Sequence, residues 1–222
     1  MFDRALISFS FDDGWRNAFT RAAPILEEHG FRGTFYVITR MSEAMLAEGE
    51  GRMSPDQWRE LAERDHEIGS HTRTHPELPA CDAERLEAEI GGARSDLVAL
   101  GIDAATFAYP FGRLSEAAVV RVQAAGYAAA RLYNNKINHA ATEPWRLGSH
   151  AILASTSPAA AENLIARAVE TRSWLILTFH QIQDHAPWCG YAPDRLQRIC
   201  ELVARRDVTV VTVRDGARLL DG

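Results

Sequence analysis

Hydrophobic positions along the chain follow two alternating rhythms. Short, nearly continuous apolar runs are separated by longer stretches in which apolar residues recur at every third or fourth position. The first rhythm is that of strands buried on both faces, the second that of helices with one buried face. The strand-like runs are 5–11, 33–38, 66–70, 106–109, 126–131, 146–152, 174–180 and 208–213. Between them, Ser54-Pro55-Asp56-Gln57 combines an N-cap serine, a proline at the first helical position and a glutamine placed for a capping box. Ser157-Pro158 opens another helix by the same logic, and Leu86, Ile90, Ala93, Leu97 and Leu100 form one apolar helix face. Residues 133–143, with Asn134, Asn135, Asn138 and His139, form the longest polar gap and are expected to be a surface loop. This alternation predicts an α/β fold with a mainly parallel sheet. Eight runs fit a distorted, TIM-barrel-like (β/α) barrel of seven to eight strands, with 1–222 as a single domain.

Composition changes this picture little. Hydrophobic residues make up 46% and charged residues 24%, which is ordinary for a globular chain. A net charge of -6 gives nucleic acid no general electrostatic attraction. Cys81, Cys189 and Cys200 show no paired spacing, and Cys200 falls on a helical apolar face, as a core thiol would. No apolar run approaches a membrane span, and Met1-Phe2-Asp3-Arg4 leads directly into a strand without a signal-type segment. A cytoplasmic location is therefore expected, although a trimmed piece of an exported parent would read the same.

The candidate chemistry sits at the strand ends. Asp12-Asp13-Gly14 closes the first run, His71 and His75 follow the third, Pro110-Phe111-Gly112 follows the fourth, Arg131 ends the fifth and His180 the seventh. In a β/α barrel these ends share one face, where active sites are built. Adjacent strand residues point to opposite faces, so one of the two carboxylates is free to bind a metal while its neighbour moves protons. The His-x-x-x-His spacing brings two imidazoles to one side of a helical turn, and two histidines with one carboxylate leave coordination positions open, as a catalytic metal site requires. Plainer readings stand beside these: Asp-Gly is a common turn, histidines four apart are frequent on exposed helices, and His180 also reads as a core histidine. Trp15 and Trp188 are aromatic candidates at the mouth of such a site, where a flat ring can stack on a substrate. His66, His139, His150 and His185 lack a matching ligand geometry.

Ser10-Phe11-Asp12-Asp13-Gly14, His71-Thr72-Arg73-Thr74-His75, Tyr109-Pro110-Phe111-Gly112 and Trp174-Leu175-Ile176-Leu177-Thr178-Phe179-His180 occur in this order. With these four segments the chain resembles the polysaccharide deacetylases of the NodB homology type, carbohydrate esterase family 4. The resemblance implies that Asp13, His71 and His75 hold one divalent metal ion, Zn2+ first, with Co2+, Ni2+ or Mn2+ also suited. It implies Asp12 as general base, the backbone N–H of Phe111, set by Pro110, as oxyanion donor, and His180 as the acid that protonates the leaving amine. The implied substrate is an N-acetylated amino sugar in a polysaccharide, oligosaccharide or glycoside.

Three departures from the family pattern bear on this reading. The third segment has Ala108 where an arginine usually steadies the base, and Arg131 is the leading substitute, since an ion pair would orient the base and favour its charged form. No acidic segment near 132–135 stands ready to partner His180. Thr178 occupies the usual place of a leucine that packs on the acetyl methyl, which leaves Leu177 or Phe179 as the expected apolar patch. The rival expectations are a hydrolase of the same fold acting on a formamide or cyclic amide, and a carbohydrate-binding protein that has lost turnover.

Overall fold

The computed structural model describes residues 1–184 and 188–220. His185, Ala186 and Pro187 lie outside the described residues, as do 221 and 222. All eight expected runs carry strands of one parallel sheet: β1 (Ala5–Phe11), β2 (Thr34–Val37), β3 (Glu67–Ser70), β4 (Thr106–Ala108), β5 (Ala129–Arg131), β6 (His150–Ala151), β7 (Trp174–Phe179) and β10 (Val208–Val210). The short pair β8 (Gln181–Ile182) and β9 (Gly190–Tyr191) forms a separate two-stranded sheet. In the main sheet the order is β5-β4-β3-β2-β1-β7-β6. β7 runs along β1 from Leu6 to Phe11, while β10 pairs with Ala5 to Ile7 and β2 with Ser10 and Phe11. The two outer edges meet at one residue, Leu147, whose N–H donates to the Ala130 carbonyl and whose carbonyl accepts from the Leu132 N–H. The sheet is thus curled into a distorted (β/α) barrel.

The helices are α1 (Ala23–Glu28), α2 (Glu43–Ala47), α3 (Pro55–Glu63), α4 (Ala83–Leu86), α5 (Gly92–Ala99), α6 (Glu116–Ala124), α7 (Pro158–Thr171), α8 (Pro193–Ala204) and α9 (Val213–Ala217). Ser54 and Gln57 form the reciprocal capping box, and Ser157 caps α7 through the Ala160 N–H. A π turn, Glu87–Gly91, joins α4 to α5, and the stripe Leu86, Ile90, Ala93 and Leu97 is buried. Cys200 is buried on α8. No helix among the described residues is long and apolar enough to cross a membrane.

Alternation along the strands separates two interiors. Ile7, Phe9, Phe11, Leu175, Leu177 and Phe179 belong to the larger cluster, which the helices share, whereas Leu6, Trp174 and Ile176 pack with Ala129 and Leu147 in a second, smaller one. On the face of Leu6 lie Ser8, which accepts from Trp174 Nε1 at 2.9 Å, and Ser10, 3.0 Å from the Thr178 hydroxyl. Tyr36 fills much of this narrow interior. Only a glycine at position 69 leaves it room, since a Cβ there would lie 2.4 Å from the Tyr36 ring.

Several boundaries differ from those the sequence predicts. Residues 126–128 precede β5 as a turn; Pro144–Arg146 is a 3-10 turn, so that β6 is only two residues long; and after β10 the chain is capped by Thr212 and enters α9. The polar gap at 133–143 is not wholly a surface loop. Asn138 is buried, its Nδ2 donates to the Gly148 and Trp174 carbonyls, and its Oδ1 accepts from the Gly148 N–H. An asparagine counts as polar in any pattern, yet here it substitutes for missing sheet bonds near the bottom of β7. Asn138→Ala leaves the Gly148 N–H and carbonyl without these partners in a dry site, while the Trp174 carbonyl keeps the Asn138 N–H, and is expected to cost about 3 kcal/mol, measured by urea unfolding.

Candidate active site

The site begins with the parity of β1. Ser8 and Ser10 face the barrel interior, so Asp12, two residues on, faces it as well. There it meets Arg131, whose Nη2 donates to Asp12 Oδ1. Arg131 is fully buried, and its guanidinium lies 4.6 Å from the centre of the Tyr36 ring. Burial pushes its pKa down to about 9. Ala108 and Arg131 are direct cross-strand partners in register, and such neighbours point to the same face. The charge that the resemblance places at 108 is therefore delivered from the adjacent position on the same surface.

Asp13 leaves the strand with φ 67°, and Gly14 follows at 66°. Two consecutive left-handed residues turn the chain, and aspartate tolerates this conformation better than most residues. The carboxylate is divided between two tasks. Its Oδ2 accepts from Trp15 Nε1 at 3.3 Å, while Oδ1 lies 3.5 Å from the Nε2 of both His71 and His75.

His71 and His75 do not share a helical turn, as their spacing suggests. The loop is irregular, with Thr72 and His75 at φ 70° and 60°, and a hydrogen bond from the His75 N–H to Thr72 Oγ1 closes it. A compact non-helical loop therefore produces the convergence. The two Nε2 atoms are 3.2 Å apart. His71 Nδ1 lies 2.8 Å from the Ala108 carbonyl, which can only accept, so this nitrogen carries the proton and Nε2 presents its lone pair.

Burial, with His75 adding to it, pushes the His71 pKa down to about 3, and burial lowers that of His75. Burial raises the Asp13 carboxyl, but its electrostatic interactions with His180, His71, His75 and the Arg52 guanidinium outweigh this and hold it below its ordinary value. The result is two neutral nitrogens and one anionic oxygen, with ligand atoms within 4.8 Å of one another. These residues fit a divalent cation, and a donor set of three leaves room for further ligands.

A cavity of about 470 Å³ opens above this group, lined by Asp12, Asp13, His71, His75 and His180 together with Tyr109, Phe111, Tyr133, Trp188 and Cys189. A cavity of about 530 Å³ around His66, Glu67 and Arg214 lies near the opposite ends of the strands and brings no such donor set together. Chemistry, not size, distinguishes the two. Phe111 adopts φ 57°, and its exposed ring packs edge-on against His75, 4.6 Å between centres. Pro110 starts the 3-10 turn that presents Phe111 and is itself buried. His180 reaches the cavity just beyond β7, where burial lowers its pKa, and its Nδ1 has no hydrogen-bond partner among the described residues. The Tyr133 ring stands edge-on to it at 6.1 Å.

Three expected substrate contacts fall elsewhere or change character. Leu177 belongs to the helix-side core, because its parity on β7 is opposite to that of Thr178, and Phe179 shares that side. Neither lines the cavity. Trp15 borders the cavity but is only 3% exposed, since the Arg52 guanidinium lies 3.1 Å above its ring. It offers no free face for a sugar and instead holds Asp13. Trp188, by contrast, is 76% exposed at the rim. Arg52, whose Nη2 donates to Glu48 Oε2 at 2.9 Å, and Glu48 carry no sequence signal that ties them to Trp15, since they arrive on a separate segment.

The family model described as polysaccharide deacetylase matches residues 2–130. The chain belongs to the polysaccharide deacetylase family. The matched part of this deacetylase-family chain contains Asp12, Asp13, His71, His75 and Phe111, whereas Arg131 and His180 lie beyond it. A chitooligosaccharide deacetylase of Rhizobium leguminosarum bv. trifolii is 36% identical over 85 residues, covering 38% of this chain and 35% of that protein. A gellan lyase of Bacillus sp is 33% identical over 107 residues, 47% of this chain and 4% of that protein. The match therefore spans well under half of either curated relative. Among solved structures, the Xyl-CE4 domain of a multidomain xylanase from the hindgut metagenome of Trinervitermes trinervoides superposes with a TM-score of 0.67 at 19% identity, covering 96% of this chain and 89% of that one. That likeness is one of fold.

The Asp12–Arg131 pair gives a direct test of this construction. Arg131→Met leaves a carboxylate buried without its partner and is expected to destabilise the protein by about 3–5 kcal/mol. Urea unfolding of Arg131→Met beside the double variant Asp12→Leu, Arg131→Met checks it, with the double variant recovering part of the loss.

Proposed function

We propose that the chain is a metal-dependent hydrolase that removes the acetyl group from an N-acetylated amino sugar in an oligosaccharide, polysaccharide or glycoside. The observation that carries this reading is the separation of the two adjacent aspartates: Asp13 joins His71 and His75, while Asp12 is held apart by Arg131. A divalent ion, with Zn2+ the first choice for this donor set, supplies Lewis acidity and makes water easier to deprotonate at neutral pH. Asp13, His71 and His75 would hold it.

Asp12 takes the proton of the attacking water, and Arg131 fixes the carboxylate oxygen that does not do so. The Phe111 N–H donates to the oxygen on which negative charge develops. His180 delivers a proton to the nitrogen as the C–N bond breaks, giving acetate and a free amine. The aromatic rings of Phe111 and Trp188 at the rim supply flat apolar surface for a sugar ring. The family membership and the chitooligosaccharide deacetylase relative both favour an acetylated hexosamine as the substrate.

Acetate release from N-acetylated chito-oligosaccharides is the decisive assay. It is expected to stop on chelation and to return with zinc. Asp12→Asn is expected to keep stoichiometric metal while losing about 10²- to 10⁴-fold in turnover, the usual worth of a general base. Loss of metal in that variant would mean that the two aspartates have exchanged duties. Opening of a cyclic amide without release of acetate from any acetylated sugar would replace the deacetylase reading.

A further inference from the structure

The loop that carries both imidazoles has a shape its own sequence does not favour. Thr72 and His75 both adopt positive φ, a conformation that costs roughly 1–3 kcal/mol for such residues unless their surroundings impose it. Between them, the N–H groups of Arg73 and Thr74 donate to one oxygen, Glu89 Oε2, at 2.9 and 2.8 Å. The other oxygen, Oε1, accepts from Thr74 Oγ1 at 2.6 Å and forms an ion pair with Arg85 Nη2 at 2.7 Å. Glu89 is 1% exposed, so these bonds form away from competing water. It stands in the π turn between α4 and α5, the kind of helix irregularity that often serves a site.

We propose that Glu89 is a positioning residue of the metal centre, holding the His71–His75 loop so that both Nε2 atoms are set for a divalent ion before it binds. Bonds from N–H groups to a carboxylate are stronger than those to a neutral carbonyl, and two from consecutive peptides fix the orientation of both. Asp96, on α5, offers a contrast. It binds the Arg73 side chain through Nε and Nη2, each at 2.8 Å, and among the described residues accepts from no backbone N–H of the loop. If both carboxylates only stabilised the fold, their removal would act alike. The inference rests on the metal donor set of the proposed function and not on the identity of the substrate.

Zinc affinity, read by competition with a chromophoric chelator, tests this without any turnover. Glu89→Gln is expected to weaken zinc by about 10- to 100-fold, and Asp96→Asn by less than about threefold, with circular dichroism and the melting temperature of the metal-free proteins recorded alongside. At saturating zinc, the KM for an acetylated chito-oligosaccharide should be that of the parent. Parental zinc affinity in Glu89→Gln, or equal weakening by both substitutions, overturns the proposal. Should Glu89→Gln fail to fold, Thr74→Val, which removes the hydroxyl with its bond to Oε1 and the one it accepts from Arg85 Nη2 but leaves the backbone bonds to Oε2, is expected to weaken zinc by about threefold or more, and unchanged affinity there overturns it equally. If zinc binding follows this pattern while no acetylated sugar yields acetate, the positioning role stands and the deacetylase reading falls.

Discussion

At the head of the barrel a carboxylate and a guanidinium, Asp12 and Arg131, face each other out of reach of water. Burying such a pair costs several kcal/mol per ion in desolvation and returns little net stability compared with a well-packed apolar pair. What it does provide is a fixed direction for one oxygen of Asp12. Much of the local architecture follows from accommodating it. Ala108 leaves space beside Arg131, the Tyr36 ring lies under the guanidinium, and Gly69 leaves space for Tyr36. With Asp12 committed to the interior, Asp13 reaches the other ligands through a backbone turn.

The candidate metal ligands are then held by groups outside the donor set. The Ala108 carbonyl selects the His71 tautomer, Trp15 occupies the second oxygen of Asp13, and Thr72 and Glu89 take up the backbone donors of the histidine loop. Each such contact removes a freedom that binding would otherwise have to remove. Strand parity alone could not have achieved this, because the loop and the turn after β1 both depart from regular structure.

Residues whose roles depend on local rules were legible in the sequence. β1, the capping box at Ser54 and the stripe on α4 and α5 follow from periodicity and capping, and Arg131 could be anticipated because a buried carboxylate needs a countercharge. Leu177 could have been excluded by counting alternate residues from Trp174. Other features were hidden because they depend on long-range contacts. Nothing in the pattern says that Arg52 covers Trp15, that Asn138 is buried, or that two histidines four apart will converge without a helix. Nothing in the sequence sets Glu89 apart from the other acidic residues of its helical segment, since a π turn shifts the phase of the residues around it.

The seam at Leu147 gives Arg131 a second significance. The strand that supplies the countercharge is also the last one at an otherwise open edge, and the backbone bonds that join Ala130 and Leu132 to Leu147, before β6, flank Arg131 itself. The seam of the sheet and the orientation of Asp12 therefore run through the same short stretch of chain. A parting of this seam that displaced β5 would withdraw the guanidinium from Asp12 while leaving Asp13 and the His71–His75 loop on the segments that follow β1 and β3, so the edge bears on Asp12 and not on the three candidate metal ligands.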